Sequence, residues 1–583
     1  MSDSDDYERE RQATIARNRE LLAQLGLADA ASAIKSTKHA NRAARPVQPR
    51  VKKPREPAMP TRQSTRLKRA AQVDPNETPQ QKRKRERDEE QRRHKEEEER
   101  LEALEREREA KRPRHHDLDL NTLLENDSPE ELAALRATFQ VLLKTPQPKG
   151  TSGDDAYVFD NHKEEQAEVT ELKQTFKKLK IVARAKVTQD RVYSAAYHPE
   201  PTKDLIFFGD KHGQLGIWDA RAPVDAPDDE EDSTPPEDRE GGKYHRLQMH
   251  WPATSKSSIS CIKFDPIDSF SLYTTAYDCT IRTLSLASGI ASEVFATEDT
   301  LITSVDLPPH GHEMWISDAE GGLTHMDLRA GRSHAKRYLM SEQKIGSVSV
   351  NPVRPYFLVT ASNTRDLKVW DTRMLETLSG RSRRSAPSSP GPSTPRSPSK
   401  RQARSTTVFA HPTEVDFGAI EKLVGTKRGE STVRARWAHG KSVSSAYWDP
   451  RGRSIVSTSY DDTIRLWDIK PSLFDKDAPF PSSRPFSQIK HNCQTGLIGQ
   501  GKWLTILKAQ WTPNPDVYPH FTIGNMDHSL DVYSCKGDHI AKLADRSKIT
   551  AVQAVTCSHP NIVERVASGN GSGRCVLWAP ADD

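Results

Sequence analysis

Lys and Arg recur just ahead of a series of short, alternating apolar segments. Arg191 precedes VYSAAY, Lys256 precedes ISCIKF and Lys344 precedes IGSVSV, while Lys441, Lys502 and Lys548 stand before VSSAYW, LTILKAQW and AVQAVTCS. Trp251, Trp503 and Tyr460 lie beside them, and Lys211, His212, Arg365, Arg546 and Arg574 occupy neighbouring turns. Cationic groups interleaved with aromatic rings suit a phosphate backbone and an unstacked base. A solvated rim or a socket for an acidic peptide is the alternative reading of the same residues.

Other residues imitate catalytic chemistry. His439, Ser457 or Ser459, Asp461 and Trp467 include the types of a Ser-His-Asp triad. The same spacing is what a buried hydrogen-bond chain in a repeated β unit requires, and that structural reading is favoured. His310 and His312 have no suitable partners for zinc, and GNGSGR (569–574) is a turn because no helix pattern follows it. The expectation is a non-enzymatic protein with no metal and no cofactor.

The elements that must position the cationic loops repeat along the chain. Pro199, Pro266, Pro309, Pro352, Pro450, Pro513 and Pro560 each close one of the alternating runs, with successive spacings of 67, 43, 43, 98, 63 and 47 residues. The shortest steps match the period of a WD repeat. Each run is followed by a second apolar stretch, a turn and a third ending in Trp-Asp or a remnant of it; SIVSTSYDDTIRLWD (454–468) is the best copy. Seven such units predict an all-β fold, a seven-bladed WD40 β-propeller spanning 179–580. Leu179, Ile181, Ala183, Ala185 and Val187 alternate with mostly basic residues, whereas the last repeat stops five residues after Trp578. The segment 179–187 is therefore expected to supply the missing strand and close the ring.

Polar composition surrounds this core. Apolar residues make up 34% of the 583, charged residues 29%, and mean hydropathy is −0.78, too polar for one uniformly folded body. Net charge is +5, but the signs are segregated: residues 41–70 carry ten Lys/Arg against one Glu, whereas 225–240 hold nine Asp/Glu and one Arg. Residues 1–115 read as a disordered basic and charged arm with short helices at 7–27 and 82–112, and 116–150 as a helical segment capped by Ser128-Pro129-Glu130-Glu131. Disordered insertions are expected at 224–243, between the first and second blades, and at 379–432, between the fourth and fifth. The second carries Ser389, Thr394 and Ser397 before prolines, the pattern of proline-directed kinase sites. The six cysteines lack a CxxC pair and suit buried thiols in a reducing compartment. With no signal peptide or membrane-spanning stretch, an intracellular soluble protein with no membrane partner is expected.

The segments DRVYSAAYHP (190–199), KIGSVSVNP (344–352), HGKSVSSAYWDP (439–450) and KWLTILKAQW (502–511), with ARNRELLAQLGL (16–27) and TRQSTRLK (61–68), are more specific than a generic repeat. They resemble the fungal WD-repeat DNA damage-binding proteins of the changed-mutation-rate family, relatives of the propeller subunit that recognises ultraviolet-damaged DNA. The resemblance implies nuclear binding of single- and double-stranded DNA, with a preference for damaged sites, and a role in DNA metabolism; chromatin proteins are expected as partners. It supplies no list of contact residues, so the cationic loops stand on their own. Trp218-Asp219-Ala220-Arg221 and Trp370-Asp371-Thr372-Arg373 also resemble the WDxR box by which substrate receptors dock on the adaptor of cullin-4 ubiquitin ligases. That resemblance assigns docking to Arg221 and Arg373, and makes a chromatin scaffold or ligase receptor the alternative to a DNA-binding protein.

Overall fold

The computed structural model describes residues 115–124, 128–153, 155–159, 161–223, 240–253, 255–378, 412–427, 429–481, 484–492 and 505–581. The readings on the basic arm, the charged 82–112 segment, the Ser/Thr-Pro sites, Lys502 and Trp503 lie outside these residues.

Seven sheets, each built on four antiparallel strands, form the blades of a closed propeller. In the first blade the strands are Val192–Tyr197, Leu205–Asp210, Gln214–Asp219 and Lys243–Gln248, from the inside outward. Its middle two strands are buried at every position because neighbouring blades cover both faces, which explains their near-continuous apolar runs. The later blades open on Ile259–Phe264, Ile302–Asp306, Ile345–Val350, Val443–Trp448, Gln510–Trp511 and Gln553–Ser558. Leu179–Lys186 pairs antiparallel with Arg574–Pro580 from Leu179↔Pro580 to Lys186↔Arg574 and completes the seventh blade, as the alternation predicts. Ala183 and Ala185 face inward, while Lys180 and Lys186 remain exposed on the outer edge.

Two expectations need correction. The insertion at 224–243 falls within the first blade, and that at 379–432 within the fourth, each between third and fourth strands. The fourth strands, KYHRLQ and VRARWA, are half-polar outer strands whose pattern does not stand out beside Ser/Pro-rich sequence. The second insertion is also partly ordered. Thr413–Val415 adds a parallel strand to the third blade, and a helix follows over Phe417–Val424. Asp416 caps it by accepting the Ala419 N–H at 2.7 Å, and Val415 and Ile420 are buried beside Tyr338 and Trp370.

The segment before the propeller packs against it. Ser128 Oγ accepts the Glu131 N–H and Pro129 opens helix α1 (Pro129–Leu142), whose Leu135, Phe139 and Leu142 bury against the first two blades. Helix α2 (His162–Lys177) was not anticipated, although Val169, Leu172 and Phe176 sit at helical spacing behind an Asn161 cap. Those three join the core of the fifth, sixth and seventh blades.

Candidate nucleic-acid interface

The first strands of the first four blades begin level with one another. Ser194 Oγ donates to Ile259 O at 2.8 Å, Ser260 Oγ to Ile302 O at 3.0 Å and Thr303 Oγ1 to Ile345 O at 2.6 Å, each reaching the next blade at the same height. The residues preceding those strands consequently emerge at one mouth of the central channel. The turns between second and third strands reach the same level. Lys211 N donates to Arg191 O at 2.9 Å, and Asn363 N donates to Lys344 O at 3.0 Å.

Arg191, Lys256, Lys344, Lys441 and Lys548 all belong to this set of loops, with Lys211 and Arg365 in the adjoining turns. Lys256 and Lys441 are exposed, while Arg191, Lys211, Lys344 and Lys548 are half-buried. Lys344 Nζ donates to the Tyr277 hydroxyl at 3.1 Å and lies 5.0 Å from that ring's centre. The Lys548 turn is fixed by Asp545, which accepts the Ser547 N–H at 3.0 Å, and by Arg184, which donates to Lys548 O at 2.8 Å.

The positive ring has an acidic interruption and a member that faces a carboxylate. The third blade offers Glu298, Asp299 and Glu320 where its neighbours offer cations; Arg337 Nη2 engages Glu320 at 3.0 Å. His212 Nδ1 is 2.8 Å from Asp190. Below it Asp210 accepts the His212 and Gln214 N–H groups, yet burial pushes its carboxyl up to about 6.

Trp251 does not serve this surface. It is 3% exposed and packs with Leu123, Leu247 and Ile259 in the core of the first two blades. A basic neighbourhood in sequence is shared by rim and core residues alike; here the loop turns the indole inward. The half-exposed aromatics at the mouth are Tyr277 and Tyr460.

The apparent triad is a structural relay. His439 Nε2 lies 3.0 Å from Ser457 Oγ, its Nδ1 3.3 Å from Asp461 Oδ2, and Trp467 Nε1 donates to Ser457 Oγ at 3.1 Å. Ser457 is fully buried, so no substrate carbonyl reaches it. Burial holds His439 down at about 4, which keeps the imidazole neutral and hydrogen-bonded. The second blade repeats the device: His250 Nδ1 is 3.1 Å from Asp278 and its Nε2 2.9 Å from Thr274 Oγ1.

Arg221 and Arg373 follow the third strands of their blades and therefore lie on the face opposite the mouth. Arg221 Nε pairs with buried Asp204 at 2.8 Å. Arg373 pairs with Asp371 and lies 4.4 Å from the centre of the Tyr356 ring, leaving 53% of its side chain exposed.

A closed ring of seven blades, tied by buried relays and displaying its charges on loops, defines a WD-repeat propeller of the binding or scaffold class. Residues 431–468 match the family described as WD domain, G-beta repeat. Over 501 residues the chain is 39% identical to the "DNA damage-binding protein CMR1" of Cryptococcus neoformans var. neoformans serotype D, covering 81% of this chain and 82% of that one. Proteins of the same name from Mycosarcoma maydis and Neurospora crassa are 30% identical over the full length of both chains and 33% identical over 67% of this chain and 65% of the relative. The chain belongs to the CMR1 family of fungal WD-repeat proteins.

Proposed function

We propose that the chain is a nuclear DNA-binding protein that holds single- and double-stranded DNA at the cationic mouth and prefers ultraviolet-damaged sites. The observation that supports this reading is that Arg191, Lys256, Lys344, Lys441 and Lys548 each stand ahead of a blade's first strand, and that these strands start level across the first four blades. Lys211 stands beside them; Lys502 and Trp503 belong to the same loop set by sequence. The printed names of the relatives agree with a damage-related role. Ammonium groups on a rigid ring neutralise phosphates without reading sequence. A distorted site has already lost part of its stacking, so holding it bent or unstacked costs less than distorting intact duplex. The 41–70 arm adds sequence-independent phosphate contacts.

Fluorescence anisotropy of the full chain on intact duplex, irradiated duplex and single strands tests this. Deleting 41–70 weakens intact and damaged DNA about equally; selective loss of damage preference would assign recognition to the arm instead. The exposed guanidinium of Arg373, on the opposite face from the mouth, supports a second reading, docking of a cullin-4 ligase adaptor or of chromatin proteins. Nuclease-treated affinity capture with Arg221→Ala and Arg373→Ala checks it; adaptor recovery unchanged by both substitutions contradicts it.

A further inference from the structure

The axial channel behind the mouth holds more positive charge than its own carboxylates balance. Its outer part is a cavity of about 130 Å³ lined by Lys344, Lys508, Tyr193, Tyr277 and Tyr460, and it continues inward past Lys508 to Lys263. No carboxylate lines this stretch among the described residues. Asp306 reaches Lys263 from the far side at 3.2 Å and also accepts the Val350 N–H at 2.8 Å. Neither Lys344 nor Lys508 has a carboxylate within ion-pair distance among the described residues, which leaves two positive charges facing one cavity.

The far end is crossed by the chain itself. In the segment 146–150, Gln147 N donates to Asp268 O at 3.0 Å, Lys149 N to Pro266 O at 2.8 Å, and Ser269 Oγ to Gln147 O at 2.6 Å. Lys149 thereby joins Lys263 and Asp306 on the channel wall. Burial, with Lys263 alongside and despite Asp306, lowers its affinity for a proton. This strap lies at the end of the channel opposite the cationic mouth.

We propose that the channel binds a phosphate monoester dianion, free or at the end of a nucleic-acid strand, between Lys344 and Lys508. A phosphate monoester carries close to two negative charges near neutrality, which matches the excess. Lysine ammonium groups act as point charges toward compact oxyanions, and tyrosine hydroxyls donate alongside them. The cavity admits a group of phosphate size and is smaller than the ~300–1,000 Å³ of sites that enclose a whole small ligand. The ester group points outward past the three tyrosine rings, toward the mouth. The site shares Lys344 with the rim, but Lys508 lies inside the channel and outside the loop ring, so a substitution at Lys508 separates the two.

Calorimetric titration of the full chain tests it, using inorganic phosphate, adenosine 5′-monophosphate, and a trinucleotide with and without a 5′-phosphate, at ionic strength held constant with chloride. At least one phosphate-bearing probe binds with unit stoichiometry. Lys508→Met weakens it about tenfold or more, and Lys508→Arg largely restores it. Preference for the phosphorylated trinucleotide over the mononucleotide identifies a strand end as the source, and the reverse order identifies a free ligand. No heat beyond the chloride control for any probe, or equal binding by folded Lys508→Met, overturns the proposal. Affinity of Lys508→Met for intact duplex stays at the wild-type value; a parallel loss would overturn the claim of a separate site. Phosphate binding in a chain that ignores duplex DNA would contradict the rim reading alone.

Discussion

His520 makes the propeller acid-sensitive by an amount that follows from its surroundings. The ring is wholly buried and meets Phe176 of helix α2 edge-on, with centroids 5.3 Å apart. Nδ1 donates to Tyr518 O at 2.8 Å, while buried Nε2 has no hydrogen-bond partner. An imidazolium there would lack an acceptor for its second proton, and burial holds His520 down at about 4. In the unfolded chain it titrates near 6.5. Between those values the unfolded state binds more protons, so the stability from this residue is complete above about pH 6.5 and declines as pH falls toward 4. Linkage gives a loss of about 1 kcal/mol at pH 5.5 and roughly 2–3 kcal/mol at pH 4.5. His520→Gln retains a donor for the Tyr518 carbonyl but does not titrate. Urea unfolding of both proteins at pH 7.5, 5.5 and 4.5 should show the difference between them narrowing or reversing by those amounts. Parallel stability curves across this range would refute the assignment. His198, His439 and His559 are also held down at about 4 by burial, so the wild-type curve is steeper than one histidine explains.

Two substitutions test packing. Trp251→Ala empties a core position and should destabilise the protein by about 3–5 kcal/mol, measured by urea unfolding, while DNA affinity of the folded fraction is unchanged. Ala185→Asp places a carboxylate opposite Cys575 inside the closing sheet; a loss of several kcal/mol and concentration-dependent association on size-exclusion chromatography should follow, because the open ends re-expose strand edges.

Much of the fold was legible because each inner run ends in proline and each third strand in Trp-Asp or its remnant. The closing strand was legible because its alternation had no other partner. The outer strands KYHRLQ and VRARWA were not, since one covered face gives little apolar signal. The relay His439–Ser457–Asp461–Trp467 could be read from spacing, which fixes strand and turn positions. Trp251 could not, because loop direction decides whether an indole faces rim or core. Lys263 and Lys508 are hidden for a related reason: they lie within or just before inner strands, and their side chains line the channel instead of the core. Lys263 keeps 34% of its side chain exposed there. Alternation from the apolar neighbours Ile262 and Phe264, and from Leu507 and Ala509, was the available signal.

The central claim is that the loop cations act together on one polyanion. Its most direct test is the salt dependence of duplex affinity for wild type and for Lys344→Gln/Lys441→Gln/Lys548→Gln. If each side chain neutralises one phosphate, the slope of log K against log salt should become shallower by about 2.7, with weaker binding at every salt concentration below the crossing point. An unchanged slope and affinity in a folded triple variant would contradict the account.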